Sequence, residues 1–151
     1  MKKNVSQLER DNFPKLEDFF CFAIYTANLA FGKAYQPYLA GLDLTYSQWI
    51  TLLALAEEDG QTVNQLGEKL FLASSTLTPM LKILEKKGAV TRQRSTEDER
   101  KVHIFLTDEG RKLHGASYRC MNVFYSLGLT LEEAQLLQKT ITKVRNNLLK
   151  A

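Results

Sequence analysis

The chain has 151 residues, of which 44% are hydrophobic and 25% are charged, and its formal net charge is +3. This balance is typical of one folded domain with extensions and excludes a disordered or collagen-like chain. Two cysteines cannot form a disulfide framework, so we expect a cytoplasmic protein. The longest uncharged stretch, residues 19–32, has 14 residues, and a membrane span needs about 18 apolar residues. We therefore expect no membrane contact.

The first predicted helix begins near Lys15 and is apolar on most of its faces. Apolar residues recur there at spacings of three and four, and Phe22 and Leu29 lie off that stripe. Such a helix must be covered on most sides, and in a chain this short a second subunit is the expected cover. Pro37 and Gly41 are predicted to end or break the helix.

Two shorter helices follow. One is predicted over residues 45–58 and is stopped by the Asp-Gly pair at residues 59–60. Its buried side is expected to hold Trp49, Leu52, Leu53 and Leu55. Thr62 and Gln65 have the spacing of a capping box, in which each side chain bonds the backbone N–H of the other residue. This predicts a short helix over residues 63–70.

The next helix has one apolar and one polar face. Ser74 or Ser75 is expected to cap it, Pro79 to lie near its start, and Gly88 to end it. The buried face is predicted to contain Leu77, Met80, Leu81 and Leu84. The opposite face offers Ser74, Ser75, Thr76, Thr78 and Lys82. Small hydroxyl residues at a helix N-terminus can enter a DNA major groove, and the N–H groups there favour phosphate.

Residues 89–94 and 101–106 alternate in hydropathy around a charged stretch, which predicts a β-hairpin. Arg92, Arg94 and Arg100 can contact phosphates or enter the minor groove. Three acidic residues share the tip, and we expect one of them to hold Arg100 in place. The order of helix, short helix, turn, polar-faced helix and hairpin is typical of a winged helix-turn-helix that binds double-stranded DNA.

Two more helices are predicted after the hairpin. Thr107 caps one that runs to about Tyr125, and Thr130 with Glu133 forms another capping box. Apolar residues in the last helix are spaced as in a coiled-coil seam, at Leu131, Ala134, Leu137, Ile141, Val144 and Leu148. The expected fold is mainly α with a small β-hairpin wing. Its N-terminal and C-terminal helices form a helical dimerisation region, and such a homodimer would bind a near-palindromic operator.

Several segments resemble the MarR family of bacterial repressors. They are FLASSTLTPMLK at 71–82, LEKKG at 84–88, DER at 98–100 and LTDEG at 106–110. Within that family, LEDFFCFAIY at 16–25, KAYQP at 33–37 and LTY at 44–46 resemble the organic hydroperoxide resistance regulators, OhrR. One difference is Ala73, where that branch usually has an acidic residue, so capping must then fall to Ser74. The resemblance implies a transcriptional repressor of a peroxide-detoxifying gene, not an enzyme.

Cys21 lies in the first helix, where most lone cysteines are small buried hydrophobes. Tyr25 is one turn away on the same face. Tyr35 is about 21 Å away along a straight helix at ~1.5 Å per residue. Tyr35 and Tyr46 can therefore reach Cys21 only across an antiparallel dimer, where their hydroxyls would stabilise a thiolate. The hypothesis is that an organic hydroperoxide oxidises Cys21 to a sulfenic acid, and the resemblance implies that this lowers DNA affinity.

Alternatives remain for this cysteine chemistry. The resemblance places a resolving cysteine near residue 129, so we expect Cys120 to be an ordinary helix residue and a low-molecular-weight thiol to resolve the sulfenic acid. A resolving role for Cys120 stays open. So does a regulator of the same fold that senses a small ligand, with Cys21 not redox-active. A thiol peroxidase is a third possibility, but the chain lacks the Thr-x-x-Cys and Cys-x-x-Cys patterns.

The predicted organisation has three parts. Residues 1–44 form an N-terminal dimerisation region with the sensing cysteine, 45–107 form the DNA-binding domain, and 108–151 form C-terminal dimerisation helices. No metal site or cofactor is predicted, because the two histidines have no acid or cysteine at ligand spacing.

Overall fold

The computed structural model describes residues 13–151, so the first 12 residues of the predicted N-terminal region lie outside it. The elements are α1 (Phe20–Ala40), α2 (Tyr46–Glu57), β1 (Gln61–Thr62), α3 (Val63–Leu70), α4 (Ser74–Lys86), β2 (Val90–Arg94), β3 (Val102–Leu106), α5 (Asp108–Ala116), α6 (Met121–Tyr125) and α7 (Leu131–Lys150). Turns of 3₁₀ helix occupy Leu16–Asp18 and Ser117–Cys120. The fold is mainly helical with a small antiparallel wing, as predicted. No helix in this part of the chain is long and apolar enough to span a bilayer.

Gly41 ends α1 as predicted, but Pro37 does not break it, and the helix begins at Phe20 rather than near Lys15. Pro37 lies inside α1, and the helix continues to Ala40 before Gly41 ends it. Proline removes one backbone donor, which normally weakens a helix interior. The last turn persists because Leu39 is buried in the core, with 3% of its surface exposed. Tertiary packing therefore overrides the local preference.

Three of the helices begin at threonine capping boxes. The hydroxyl oxygen of Thr62 accepts from the N–H of Gln65 at 3.1 Å, and the Gln65 side chain accepts from Thr62 N–H at 2.8 Å. This confirms the predicted box and the bounds of α3. Thr130 caps α7 through the same reciprocal pattern with Glu133. Thr45 caps α2 in the same way.

The predicted serine cap of α4 is wrong. Ala73 is the N-cap residue, and its carbonyl accepts from the N–H groups of Thr76 and Leu77 at 3.0 and 2.9 Å. Ser74 is the first helical residue, so the start of α4 has no side-chain cap. Pro79 lies in the second turn rather than at the start. The N–H groups of the first turn are left for solvent or a ligand.

The wing is a three-stranded antiparallel sheet in the order β1-β3-β2. The hairpin pairs Val90 with Leu106 and Arg94 with Val102, which confirms the predicted strands. The two-residue strand β1 was not predicted because it is too short to show an alternating pattern. Its Gln61 pairs with Ile104 and joins the sheet to the helix-turn-helix.

The predicted helix from Thr107 to Tyr125 is broken into three pieces. Thr107 caps α5 as expected, but α5 ends at Ala116 and a 3₁₀ turn leads into α6. Gly115 favours this break because glycine weakens a helix interior. The hydroxyl of Ser117 donates to the His114 carbonyl at 2.6 Å. The turn packs against α1, which fixes the bend.

The core lies within the winged-helix half of the chain. Most of its fully buried side chains come from α2, α3, α4 and the wing, and include Leu52, Leu55, Leu66, Leu77, Leu81, Leu84 and Ile104; Cys120 of the 3₁₀ turn joins them. The predicted buried face of α4 is confirmed, whereas Leu53 on α2 is only half-buried. By contrast α1 exposes Leu29 at 48%, and α7 has no buried residue.

Candidate nucleic-acid interface and cysteine site

The outer face of α4 is polar and accessible. Ser74, Ser75 and Thr76 form the exposed first turn, and Lys82 is exposed two turns further along. Thr78 is half-buried. The buried side of the same helix packs into the core, so the polar face must point outward. These residues thus combine hydroxyl groups, one lysine and uncapped backbone N–H groups, which suits a DNA groove and its phosphates.

The three wing arginines differ in how they are held. The Nε of Arg92 donates to Glu85 at 2.7 Å, which ties the hairpin to α4. Arg94 donates from Nη1 to the Glu99 carbonyl at 3.2 Å, and this contact leaves the rest of its guanidinium exposed. Arg92 is therefore largely satisfied within the protein, whereas Arg94 keeps donors for a phosphate.

An acidic residue does bond Arg100 at the wing tip, but it bonds the backbone and not the side chain. Asp98 accepts from the backbone N–H of Arg100 at 3.1 Å and not from its guanidinium. Among residues 13–151, no carboxylate lies within ion-pair distance of the Arg100 guanidinium. Asp98 instead shapes the tip, where its own N–H donates to the Ser95 hydroxyl at 3.3 Å. This leaves the Arg100 side chain free to reach DNA.

Cys21 lies in the first turn of α1 and is exposed, so the buried-hydrophobe alternative does not describe the single protomer. Tyr25, one turn further on, is 59% exposed and stacks on Phe22 with ring centroids 6.4 Å apart. The helix is continuous from Cys21 to Tyr35, which puts these residues about 21 Å apart at ~1.5 Å per residue. Within one protomer Tyr25 therefore lies one helical turn from Cys21, whereas Tyr35 is out of its reach.

Tyr35 and Tyr46 form an aromatic cluster with Trp49. The ring centroids lie 5.4 Å apart between the tyrosines, and 5.0 and 5.6 Å from each tyrosine to Trp49. Burial raises the pKa of both phenols, and the pKa of Tyr35 is raised further by Tyr46 and Cys120. Both hydroxyls therefore stay protonated at neutral pH and can act as hydrogen-bond donors.

A pocket of about 510 Å³ opens beside these tyrosines. Its lining is mostly aromatic and aliphatic, and consists of Asn28, Phe31, Gly32, Tyr35, Tyr46, Phe124 and Leu127. An apolar wall with two phenol donors fits a group that has a polar end and an alkyl or aryl tail.

Cys120 has a different environment from Cys21. It lies at the end of the 3₁₀ turn with 1% of its surface exposed. Burial raises the pKa of its thiol, so the reactive thiolate form is disfavoured. This environment fits the packing role expected for Cys120 and leaves Cys21 as the accessible thiol.

Sequence reasoning missed several of these contacts. The burial of Trp49 was predicted, but its ring contacts with Tyr35 and Tyr46 and the left-handed turn at Phe71 (φ 56°) gave no recognisable pattern. Asp59 was expected only to stop a helix. Its carboxylate also accepts from Leu106 N–H at 2.9 Å and from Arg111 at 2.8 Å, which fixes the wing against α5. An Asp-Gly pair signals a turn and carries no sign of such long-range contacts.

A winged helix-turn-helix with an open polar recognition helix and a basic wing defines a class of DNA-binding regulators. A family model described as transcriptional regulator SarA/Rot matches residues 33–116. The regulator TtmR of Methylorubrum extorquens is 46% identical over 149 residues, covering 97% of this chain and 76% of that protein. The organic hydroperoxide resistance transcriptional regulator of Bacillus subtilis is 48% identical over 99 residues, covering 66% and 67%.

Solved structures agree with this assignment. Reduced AbfR bound to DNA aligns with a TM-score of 0.77 and 35% identity, covering 88% of this chain and 92% of that one. AbfR is a protein of Staphylococcus epidermidis. The chain belongs to the SarA/Rot-type family of MarR-like regulators, and it is a DNA-binding transcriptional regulator.

Proposed function

We propose that this regulator is a homodimeric repressor that releases a near-palindromic operator when an organic hydroperoxide oxidises Cys21. The observation that carries the proposal is the exposure of Cys21 on a helix whose apolar surface is uncovered. The likeness to the Bacillus subtilis hydroperoxide regulator supports the same assignment. The domain division follows from it: residues 1–44 and 108–151 make the dimer, and 45–107 read DNA.

The dimer has a chemical role in this proposal. An antiparallel arrangement of two α1 helices carries Cys21 of one protomer toward the Tyr35 and Tyr46 pocket of the other. The phenol hydroxyls then donate to the thiolate, and Tyr25 covers it from its own helix. The apolar pocket wall accepts the organic tail of the peroxide, so an organic hydroperoxide should react faster than hydrogen peroxide.

The reaction is a two-electron oxidation of sulfur. The Cys21 thiolate attacks a peroxide oxygen, the O–O bond breaks, and sulfur becomes a sulfenic acid while the peroxide is reduced to an alcohol. A low-molecular-weight thiol then condenses with the sulfenic acid and releases water. Cys120 is too buried to serve as that thiol without local opening.

DNA is read by the two elements already described. The polar face of α4 enters the major groove with Ser74, Ser75, Thr76, Thr78 and Lys82. The wing presents Arg94 and Arg100 to the phosphates or the minor groove, and Arg92 lies at its base. A Thr76→Ala variant should alter preference among operator sequences, because a recognition-helix side chain reads base edges.

The test is a titration of a duplex that the wild-type protein selects from a random-sequence library. Fluorescence anisotropy is recorded for reduced protein and after cumene hydroperoxide with a small thiol. Wild type should lose at least about tenfold in affinity, which corresponds to ~1.4 kcal/mol. Cys21→Ser should bind as well as wild type and show no response.

Cys120→Ser is the matched control, because it removes the other thiol. It should release DNA as wild type does, and the intact mass of both proteins should show one small-thiol adduct. Release by Cys21→Ser would overturn the sensor assignment. A crosslinked dimer that is lost in both variants would instead make Cys120 the resolving thiol. Release by a non-oxidising phenolic acid, retained in Cys21→Ser, would favour the ligand-sensing alternative.

A further inference from the structure

The turn before the recognition helix is held by an unusual backbone residue. Phe71 adopts a left-handed conformation with φ 56° and ψ 38°, which bulky side chains rarely adopt. The N–H of Leu72 donates to the Gly67 carbonyl at 3.0 Å and closes the end of α3. Only Leu72 and Ala73 separate Phe71 from the first residue of α4. The position of Phe71 therefore sets where the recognition helix begins.

Burial does not hold the Phe71 ring in place, because 56% of its surface is exposed. The guanidinium carbon of Arg145 on α7 lies 4.2 Å from the ring centroid, which is cation–π geometry. The Nε and Nη2 of Arg145 both donate to the side-chain oxygen of Asn146, at 3.2 and 3.1 Å, which fixes the guanidinium. Within residues 13–151 this is the one cation–π contact.

We propose that Phe71 and Arg145 are positioning residues for the recognition helix. Their contact joins the C-terminal helix α7 to the turn that starts α4, so that the two helices keep a fixed relation. Because α7 buries no residue within the protomer, the Arg145 side chain provides a direct contact between the C-terminal helix and the DNA-binding domain. The inference rests on DNA binding by the family and does not depend on the oxidation of Cys21.

The expected effect follows from the fraction of molecules that hold α4 in the binding position. Losing the contact lowers that fraction, and the apparent dissociation constant rises by the same factor. A cation–π contact at an exposed site changes an equilibrium by about two- to fivefold. Neither residue needs to touch DNA for this effect.

The experiment is an anisotropy titration of the wild-type-selected duplex at several salt concentrations. Arg145→Gln and Phe71→Asn should each weaken binding about two- to fivefold, and the double variant should be no weaker than either single one. Asparagine suits the test because it adopts the left-handed conformation readily, so the turn is kept while the ring is lost. The salt slope should stay at the wild-type value.

Three controls separate positioning from other roles. Lys143→Gln removes the same charge from the same helix and should leave affinity unchanged. Phe71→Tyr and Arg145→Lys keep a ring and a cation, and should restore most of the binding. If Arg145→Gln lowers the salt slope by about one while Phe71→Asn binds normally, Arg145 contacts phosphate directly and the proposal is wrong. Fully additive losses, or no loss in either variant, also overturn it.

Discussion

The winged-helix half of the chain runs from α2 to β3, and the helices α1 and α7 form two helical arms beside it. These two regions cover their apolar side chains in different ways. From α2 to β3, leucines on the three helices and Val90 and Ile104 on the wing strands β2 and β3 are fully buried within one protomer. In α1 and α7 the large apolar side chains are largely exposed, including Leu29 at 48%, Leu136 at 67% and Leu148 at 71%. Exposed apolar surface of this extent marks an interface.

This contrast separates two tasks. The DNA-reading half can hold its own shape, because its core is complete without another subunit. The arms need a second copy of the chain, and the accessible cysteine is placed in the arm. In the proposed mechanism, oxidation of Cys21 changes how the two DNA-reading halves of the dimer are arranged and leaves the fold of each half unchanged. The following predictions test each side of this division, beginning with the largest effect.

The largest effect should come from charge in the arms. Leu29→Lys on α1 and Leu137→Lys on α7 should each weaken dimerisation by about 100-fold or more, because symmetry places each lysine at the interface twice and an unpaired buried ammonium costs several kcal/mol. Sedimentation velocity at micromolar concentration measures this. Ala56→Lys, on the exposed side of α2, should dimerise normally. A stable wild-type monomer would refute the division.

The next effect concerns the packing of α5 against the reading half. In Gly110→Ala the added Cβ would overlap the Ala89 carbonyl oxygen and lie 3.0 Å from the Leu106 side chain. We expect a loss of about 3 kcal/mol in the free energy of unfolding, measured in urea. Gly115→Ala on the same helix meets nothing within 4 Å. It should be neutral or stabilising, because alanine favours a helix more than glycine. Equal losses in both would contradict the packing argument.

A smaller effect is expected at the wing. Arg100→Ala should weaken DNA binding about tenfold and lower the salt slope by about one, since no carboxylate among residues 13–151 pairs with its guanidinium. Arg92→Ala removes a guanidinium already paired with Glu85. It should leave the salt slope nearly unchanged and cost at most about 1 kcal/mol of stability. A normal slope for Arg100→Ala would mean that the wing tip does not contact DNA.

The smallest effect is a pH dependence at the junction of arm and reading half. Burial raises the pKa of Tyr35 and Tyr46 above the ordinary value of 10.0, so the folded protein holds these protons more tightly than the unfolded chain. The resulting stability is complete below pH 10 and is lost as pH rises through the raised pKa. Urea unfolding of Tyr35→Phe should decline less steeply above pH 10. Tyr118→Phe, an exposed ring, should follow wild type, and an identical decline in all three would remove the assigned cause.

Local patterns in the sequence determined much of the fold. The Thr62 and Gln65 box fixed the bounds of α3, the alternation around the charged tip fixed the hairpin, and apolar spacing fixed the buried face of α4. These features depend on neighbours within a few residues, so they can be predicted from the amino-acid sequence alone. The recognition helix and wing could be placed for the same reason, and with them the class of function.

Tertiary structure alone decided the rest. The continuation of α1 past Pro37 depends on the buried Leu39, and the break after Ala116 depends on packing against α1. Ala73 is the cap of α4 because the left-handed turn at Phe71 brings the Ala73 carbonyl to the start of the helix. Asp59 accepts a hydrogen bond from Leu106 in the wing, and Arg145 contacts the Phe71 ring, although the members of each pair are far apart in the sequence. A sequence pattern cannot encode such contacts, because they form only when distant elements are packed against one another.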